Sequence, residues 1–429
     1  MRAARTSQVL SMQLHINRQA DVLVLGAGIV GVCTALHLQA RGRDVILVDR
    51  RSPGEETSFG NAGLIERSSV VPYAFPRNIG AILAYLTNRS PAVRYDPRFL
   101  PAILPRLVRY WWHSAPGRLE RAAEVMLPLI ERSVDEHDAL IRQAGMERYV
   151  RREGWIELFR SPALFERAKR DVAALERFRL RFDILDAPRL QDRVPSLRDG
   201  VAGGIHWLDP WSVSDPGAVT RGYAQLFLDR GGSFLRAEAR SLRRQPEGWS
   251  VDDSDGIQLG AKEAVVALGP WSEEIYRPLG YRFPMFVKRG YHRHYSAESG
   301  ATLRHPICDV EAGFVLTPMT RGIRLTTGVE LAPRDSRPTP TQLELAETVA
   351  RRIFPLGRSM DQTPWLGARP CLPDMRPVIG PAPRHKGLWF AFGHAHHGFT
   401  LGPITGRILA EAMTGEKPAA DISRYAVRW

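Results

Sequence analysis

Cysteine is scarce. The 429 residues contain three, Cys33, Cys308 and Cys371, far apart and without a CxxC pair. That excludes a disulfide framework and a zinc ribbon, and it fits a reducing, cytoplasmic compartment. Lysine is nearly missing. Only five of the 59 basic residues are lysine, so the formal charge of +13 is almost wholly arginine. No apolar run reaches the ~18 residues that a membrane-spanning helix needs. Residues 1–20 carry scattered arginines and no continuous apolar stretch, so they do not read as a secretory signal, and Met12 is a second candidate start. There is no internal repeat and no low-complexity linker. What remains is a chain of ordinary globular composition, 44% apolar and 24% charged, long enough for two domains.

The arginine excess has two readings. One is a genome rich in arginine codons. The other is a surface that meets anions: nucleic acid, acidic lipid headgroups or phosphorylated cofactors. The basic residues are dispersed rather than gathered in a tail.

The stretch DVLVLGAGIVGVCTALHLQARGRDVILVDR, residues 21–50, carries the clearest signal. Val22 to Leu25 reads as a buried parallel strand, the next segment as a helix with Val30, Ala35 and Leu38 on its apolar positions, and Val45 to Val48 as a second strand. Gly26, Gly28 and Gly31 form G-x-G-x-x-G between strand and helix. Gly26 permits the tight turn, Gly28 the approach of a pyrophosphate, and Gly31 the close packing of helix on strand. The helix start, with Ile29 and Val30, offers N–H groups and a positive dipole end to the phosphates. Asp49, 23 positions after Gly26, closes the second strand with a carboxylate for ribose hydroxyls, and Arg50 follows it. In this strand–helix–strand–acid order the motif predicts a bound dinucleotide. The loop GEETSFGNAGLI, 54–65, then favours FAD over a nicotinamide. Thr57 and Ser58 suit phosphate or ribose. Asn61, Ala62 and Gly63 are small enough for a flat ring to approach.

Residues 71–113 are rich in proline, aromatics and arginine and end in RLVRYWWHS. They read as helices packed on a second domain, or as a membrane-interface contact through Trp111 and Trp112. A helix is expected over 119–145, and GWIELFR, 154–160, alternates as a strand does. Ser214 or Asp215 should cap a helix opened by Pro216. AVVALGPWS, 264–272, is a buried strand ending at Gly269, where such folds bring strand ends to the cofactor. FPMFVKRGYHRHYS, 283–296, and RGIRLTTGVE, 321–330, look like strands of a second sheet. Nucleotide-type segments recur at three separated places. We therefore expect 17–75, 199–275 and 362–425 to form one domain, interleaved with a substrate domain of 76–198 and 276–361.

Near the end, FAFGHAHHGFTLGPITGR places His394, His396 and His397 within four positions. No cysteine lies nearby and no HxxxH spacing is present, so no metal is expected. A helix opened by Pro403 and closed near Gly415 is expected. Free N–H groups from Gly398, Phe399, Thr400 and Leu401 would stabilise negative charge on a reduced flavin.

GAGIVG with Asp49, ETSFGNAG, ARPCLPDMRPVIG and GHAHHGFTLGPITGRILAE occur here in one order. In this the chain resembles the FAD-dependent D-amino-acid dehydrogenases of bacteria, within the wider glycine oxidase and sarcosine oxidase group, over roughly residues 20–425. The resemblance implies an α/β chain, with a Rossmann-type FAD-binding domain interleaved with an α+β substrate domain that carries a mixed sheet. It implies hydride transfer from the substrate alpha carbon to non-covalent FAD, a 2-oxo acid and ammonia as products, and electrons passed to a membrane quinone. Docking on the inner membrane then gives Trp111–Trp112 and the basic surface a meaning. Carried over by motif, Arg369 joins the FAD-binding set, His394 contacts flavin, and Tyr291 with Gly290 lies on a pocket strand. Tyr291, His394 and Arg289 are the candidate catalytic residues. Two departures matter. Where glycine oxidase has an arginine after a proline to hold the carboxylate, Pro318 is followed by Met319, so either the anchor passes to Arg289, Arg293, Arg321 or Arg324, or the substrate is not a simple amino acid. Cys371 does not match the cysteine that carries flavin in sarcosine oxidases and reads as structural. Lys288 could supply the positive charge near flavin N5 that an oxidase uses. Other readings are a subunit of a hetero-oligomeric amine dehydrogenase and an RNA-modifying flavoprotein.

Overall fold

The computed structural model describes residues 16–298 and 300–429; the alternative start at Met12 lies outside them. Two large sheets organise the chain. In the first, Ser233–Arg236, Val45–Asp49, Ile16–Leu25 and Gln258–Val266 run parallel in that order. The far edge of Gln258–Val266 is shared. Its first half pairs antiparallel with Gly248–Asp252, and its second half pairs parallel with Leu388–Phe392. At the centre of the sheet the runs Val22 to Leu25 and Val45 to Val48 are continuously apolar and all buried, because both faces are covered there.

The second sheet has eleven strands and is mixed. Its long member, Phe286–Ala297, takes Gly322–Thr326 on one side and Trp365–Cys371 on the other, both antiparallel. Beyond Gly322–Thr326 the order continues through Phe314–Met319, Ile307–Asp309, Trp155–Phe159, Gly203–Trp207 and Phe182–Asp186. Gly203–Trp207 and Trp365–Cys371 sit inside the segments 199–275 and 362–425 expected to serve the nucleotide unit, yet they pair in this sheet. Each such segment therefore contributes to both sheets.

Asp215 caps helix Pro216–Asp229 by accepting from Ala218 N–H at 2.8 Å. The last helix differs from expectation. It spans Gly398–Met413, so it starts five residues before Pro403, which lies inside it. Proline has no N–H to return to the carbonyl four residues back. That carbonyl, Phe399 O, is met instead by His137 Nε2 at 2.8 Å, from the long helix Pro116–Gln143. The donor must be the imidazole, since a carbonyl only accepts. A histidine 137 residues into the chain thus repairs the gap that proline leaves.

The last helix packs on the first, Ile29–Gln39, by backbone contact. A Cβ on Gly406 would lie 2.5 Å from Cys33 C, and one on Gly402 would lie 2.8 Å from Ile29 Cγ1. No side chain separates the helices there. A solvent-facing Gly→Ala in a helix gains up to ~1 kcal/mol. Gly406→Ala should instead lose about 1–3 kcal/mol through overpacking, measured by urea unfolding.

Burial holds two structural imidazoles neutral, bringing His137 and His206 down to about 4. Both ordinarily titrate near 6.5, so the unfolded chain takes the proton first. Their contribution is complete above pH ~6.5 and is lost as pH falls from there towards 4, at up to about 1.4 kcal/mol per pH unit each. Thermal melts between pH 7 and 5 should show a falling midpoint, and His137→Gln should flatten the profile.

Candidate functional site

The parallel strands of the first sheet end beside one face of the second, and a cavity of about 520 Å³ lies between them. The glycine motif forms its mouth. Gly26 has φ +107°, and a Cβ there would meet Ala267 O at 2.6 Å, so only glycine turns here. A Cβ on Gly31 would lie 1.8 Å from Gly26 O; Gly31 packs helix on strand and does not itself line the cavity. Gly28 caps the helix without a side chain, and Ile29 N–H donates to Ser58 Oγ at 2.9 Å. Gly28, Ile29, Val30 and Ser58 all line the cavity.

Asp49 and Arg50 line the same end. The Asp49 carboxylate accepts from Ala27 N–H at 2.7 Å and Arg51 N–H at 3.1 Å. Burial raises its pKa against those bonds. The Arg50 guanidinium lies 4.6 Å over the ring of Trp271, another lining residue, which gives a flat aromatic wall. Gly269 lines the cavity just before it.

Thr57, Asn61 and Ala62 follow along the cavity wall. Thr57 Oγ1 donates to Ala368 O, and Asn61 Oδ1 accepts from Gly63 N–H at 2.7 Å. Gly63 faces away; its Cβ would meet Val213 O at 2.3 Å. The loop is pinned from the second sheet: Arg324 donates to Phe59 O at 3.2 Å and Asn61 O at 2.5 Å. That guanidinium is 3% exposed, and burial lowers its pKa to about 10.

From the last helix, Gly398 and Phe399 line the cavity. Thr400 and Leu401 do not. Thr400 Oγ1 accepts from Glu66 N–H and donates to Leu64 O, and Leu401 is in the core. His394 lines the cavity with Nε2 3.0 Å from Thr405 Oγ1. Burial and then His397 push it down to about 3, so it is neutral.

Strand Phe286–Ala297 corrects the catalytic expectation. Side chains alternate between faces, and it is Lys288 and Gly290 that line the cavity. Arg289 and Tyr291 point the other way. Arg289 pairs with Glu330 at 3.0 Å and donates to Pro333 O, Ser336 O and Arg337 O. Tyr291 Oη donates to Glu330 at 3.0 Å and accepts from Thr339 N–H at 2.7 Å. Both lock the 333–339 segment and face no ligand space. Of the other arginines expected to anchor a carboxylate, Arg321 pairs with exposed-side Asp361, and Arg293 reaches Glu347 at 3.9 Å. None of the four, Arg289, Arg293, Arg321 or Arg324, lines the cavity.

Arg369 does. It stands directly across from Lys288 on the neighbouring strand. Its Nη1 donates to Gly328 O at 2.5 Å and its Nη2 to Thr327 O at 3.0 Å. Gly290 makes this possible, since a Cβ there would meet Arg369 Nη2 at 2.6 Å. Lys288 Nζ donates to Tyr110 Oη at 2.9 Å and lies 4.2 Å over that ring. Among the described residues neither cation has an ion pair with a carboxylate. Like charges directly opposite on a sheet repel, so this pair is poised for an anion.

Several lining residues escaped the sequence reading. Glu66 and Tyr73 come from the proline-rich loop, Glu157 and Cys308 from the second sheet, and Trp365 from beside Gly60 and Gly367. Glu157 alone left a trace, as the charge in the apolar strand Trp155–Phe159. Glu66, His396 and His397 also bring ligand atoms within 4.8 Å of one another, a grouping that sequence spacing concealed.

The cavity fits an extended dinucleotide. It has a turn only glycine can make, a helix end whose cap, Gly28, has no side chain, an acidic strand end, and a ring-sized wall of small residues. The comparisons agree. A D-amino acid dehydrogenase of Cereibacter sphaeroides is 31% identical over 428 residues, 94% of this chain and 95% of that one. A D-amino-acid oxidase of Bradyrhizobium diazoefficiens is 29% identical, over 94% of this chain and 97% of its own. The fold is similar to that of glycine oxidase from Geobacillus kaustophilus, with a TM-score of 0.72, 19% identity, and coverage of 96% of this chain and 99% of that one. The family model that matches residues 21–412 is DAO, FAD dependent oxidoreductase. The chain belongs to the DAO family of FAD-dependent oxidoreductases.

Proposed function

We propose that this protein oxidises the alpha C–N bond of a D-amino acid to an imine, which water hydrolyses to a 2-oxo acid and ammonia. The observation that carries the reading is the Lys288–Arg369 pair, which lines the cavity without a carboxylate partner. When bound along Gly26, Gly28, Asp49, Asn61 and Gly398, FAD supplies a two-electron acceptor for the alpha hydride. The chain's own part is placement. Arg369 offers a planar fork for a carboxylate, held rigid by two backbone carbonyls. Lys288 adds a second charge from the adjacent strand. With the carboxylate fixed, only one face of the alpha carbon can turn to the cofactor side, and orientation of this kind supplies much of the rate. His396 lines the cavity as a neutral imidazole, its pKa lowered by burial and then by its charged neighbours. It can accept a hydrogen bond from the substrate amine. The first sheet serves the cofactor and the second the substrate.

The electron acceptor in this reading is a membrane quinone. No described helix is long and apolar enough to cross a membrane. Two helices nevertheless turn apolar stripes outward: Ile79, Leu83 and Leu86 on Ile79–Leu86, and Leu104, Val108 and Trp112 on Leu100–His113. Residues 71–118 contain seven arginines and one acid, Asp96. Arg118 lies 3.6 Å over Trp112, and a second cleft is lined by Arg106, Arg109, Arg277 and Arg282. Such a surface suits peripheral attachment to an anionic bilayer.

The deciding experiment is an anaerobic absorption titration of the flavin with D- and L-amino acids. A D-compound should bleach the band; a band that no amino acid bleaches overturns the proposal. Admitting air then separates an oxidase from a dehydrogenase. Arg369→Met should keep the flavin band and lose about 2–5 kcal/mol of transition-state binding, chiefly as a higher KM. For attachment, the protein should sediment with vesicles containing acidic lipid and not with zwitterionic ones. The double substitution Val108→Glu, Trp112→Glu should abolish sedimentation and leave turnover with a soluble dye intact.

A further inference from the structure

The cavity holds a second charged pole. Glu157, at the centre of Trp155–Phe159, lines it, while its neighbours Ile156 and Leu158 are buried in the core behind. Glu66 lines it from the opposite loop. Among the described residues no lysine or arginine pairs with either carboxylate. Glu66 reaches the Ser69 hydroxyl and, at 3.9 Å, His397 Nδ1. The other groups around them bring no positive charge. Tyr73 is an uncharged phenol, Cys308 has its pKa raised well above the ordinary, chiefly by burial, and His396 and His397 are held neutral by burial. His397 is 6% exposed, and both its ring nitrogens lack a hydrogen-bond partner. Two acids thus line the cavity with no lysine or arginine among the described residues to pair with them.

Between the two poles runs an uncharged floor. Glu157 pairs with Cys308 on the next strand, Cys308 with Val315, and Val315 with Thr326, one step short of the strand that carries Lys288. Cys308, Val315 and Thr326 all line the cavity, and Gly313 and Gly328 leave room beside them. Small and apolar groups suit an aliphatic stem.

We propose that the substrate carries a cation at its far end: the site selects amino acids whose side chain ends in a guanidinium or ammonium group, held by Glu157 and Glu66 while Lys288 and Arg369 hold the carboxylate. This rests on the amino-acid reading above and names the class within it. Each unmatched pair of like charges finds its complement in one bipolar ligand. A buried charge left unpaired is costly, so a ligand that satisfies one pole alone forfeits part of the binding.

Glu157 also gives the selection a pH signature. Burial, and then the Glu66 charge, push its carboxyl up to about 7. The free enzyme then holds the ionised, cation-binding form above that pH and loses it below.

The test uses the holoenzyme with an artificial electron acceptor and compares D-arginine and D-lysine with D-citrulline and D-norleucine. D-citrulline has the shape of D-arginine without its charge. At pH 8, kcat/KM for D-arginine should exceed that for D-citrulline by at least about tenfold. The advantage should shrink as pH falls through about 7, since kcat/KM reports the free enzyme, while the profile of D-citrulline lacks that limb. Glu157→Gln should bring the D-arginine to D-citrulline ratio to within about threefold at every pH. If D-citrulline or D-norleucine bleaches the flavin and turns over as well as D-arginine, this inference fails and the amino-acid reading stands. If no amino acid bleaches the flavin, both fail. A divalent metal retained at one per chain after dialysis, with turnover lost to a chelator, would also overturn it: the pole at Glu66, His396 and His397 would then hold an ion of its own.

Discussion

Lys288 and Arg369 face each other across two adjacent strands, with no acid to separate them. Much of the second sheet is arranged to tolerate this. Tyr110 receives the ammonium with its ring and hydroxyl, and the carbonyls of Thr327 and Gly328 receive the guanidinium. Gly290 gives up its side chain so that Arg369 can lie flat. Carbonyl dipoles lower the repulsion without cancelling it, and what they leave over is available to a ligand. A site that stored no such imbalance would have little to offer a carboxylate in competition with water.

The sequence revealed the features set by neighbouring residues. The glycine turn, its strand, its helix and Asp49 are all local, and the physics of a phosphate-binding turn is written in consecutive positions. Asp215 as a cap, and Asn61 and Ala62 as small lining residues, were readable for the same reason, while Gly63 beside them faces away. Parity on Phe286–Ala297 was not. Tyr291 looked functional because Gly290–Tyr291 matches a pocket-strand pair of the resembled family, and Arg289 because it stood among the arginines left to hold a carboxylate, but which side of a strand meets the cavity depends on what covers each face. Arg289 turned out to neutralise Glu330 and tie down a loop. Pro403 looked like a helix start because prolines favour first turns. Here a partner from another helix satisfies the carbonyl it orphans, and no local rule reports that. The acidic pole was least visible of all, since Glu66 and Glu157 lie ninety-one positions apart and come together only in the cavity lining.

The two sheets are not independent carriers of cofactor and substrate. Arg324 stands on the second sheet and holds the carbonyls of Phe59 and Asn61, which belong to the loop beside the flavin position. Thr57 is tied to Ala368, one residue from Arg369. Through these bonds Arg369, the carboxylate anchor proposed above, and loop 57–61 keep a fixed spacing, which the proposed hydride transfer requires.

The contact of Gly402 and Gly406 on the first helix has a consequence for biosynthesis. The glycine turn emerges from the ribosome long before the helix that closes over it, Gly398–Met413. Until then the first helix presents a bare strip of backbone and apolar side chains with no surface to cover it. The nascent chain therefore cannot complete its cofactor pocket before Gly398–Met413 has emerged, and in the interval the strip stays open to other chains or to a chaperone.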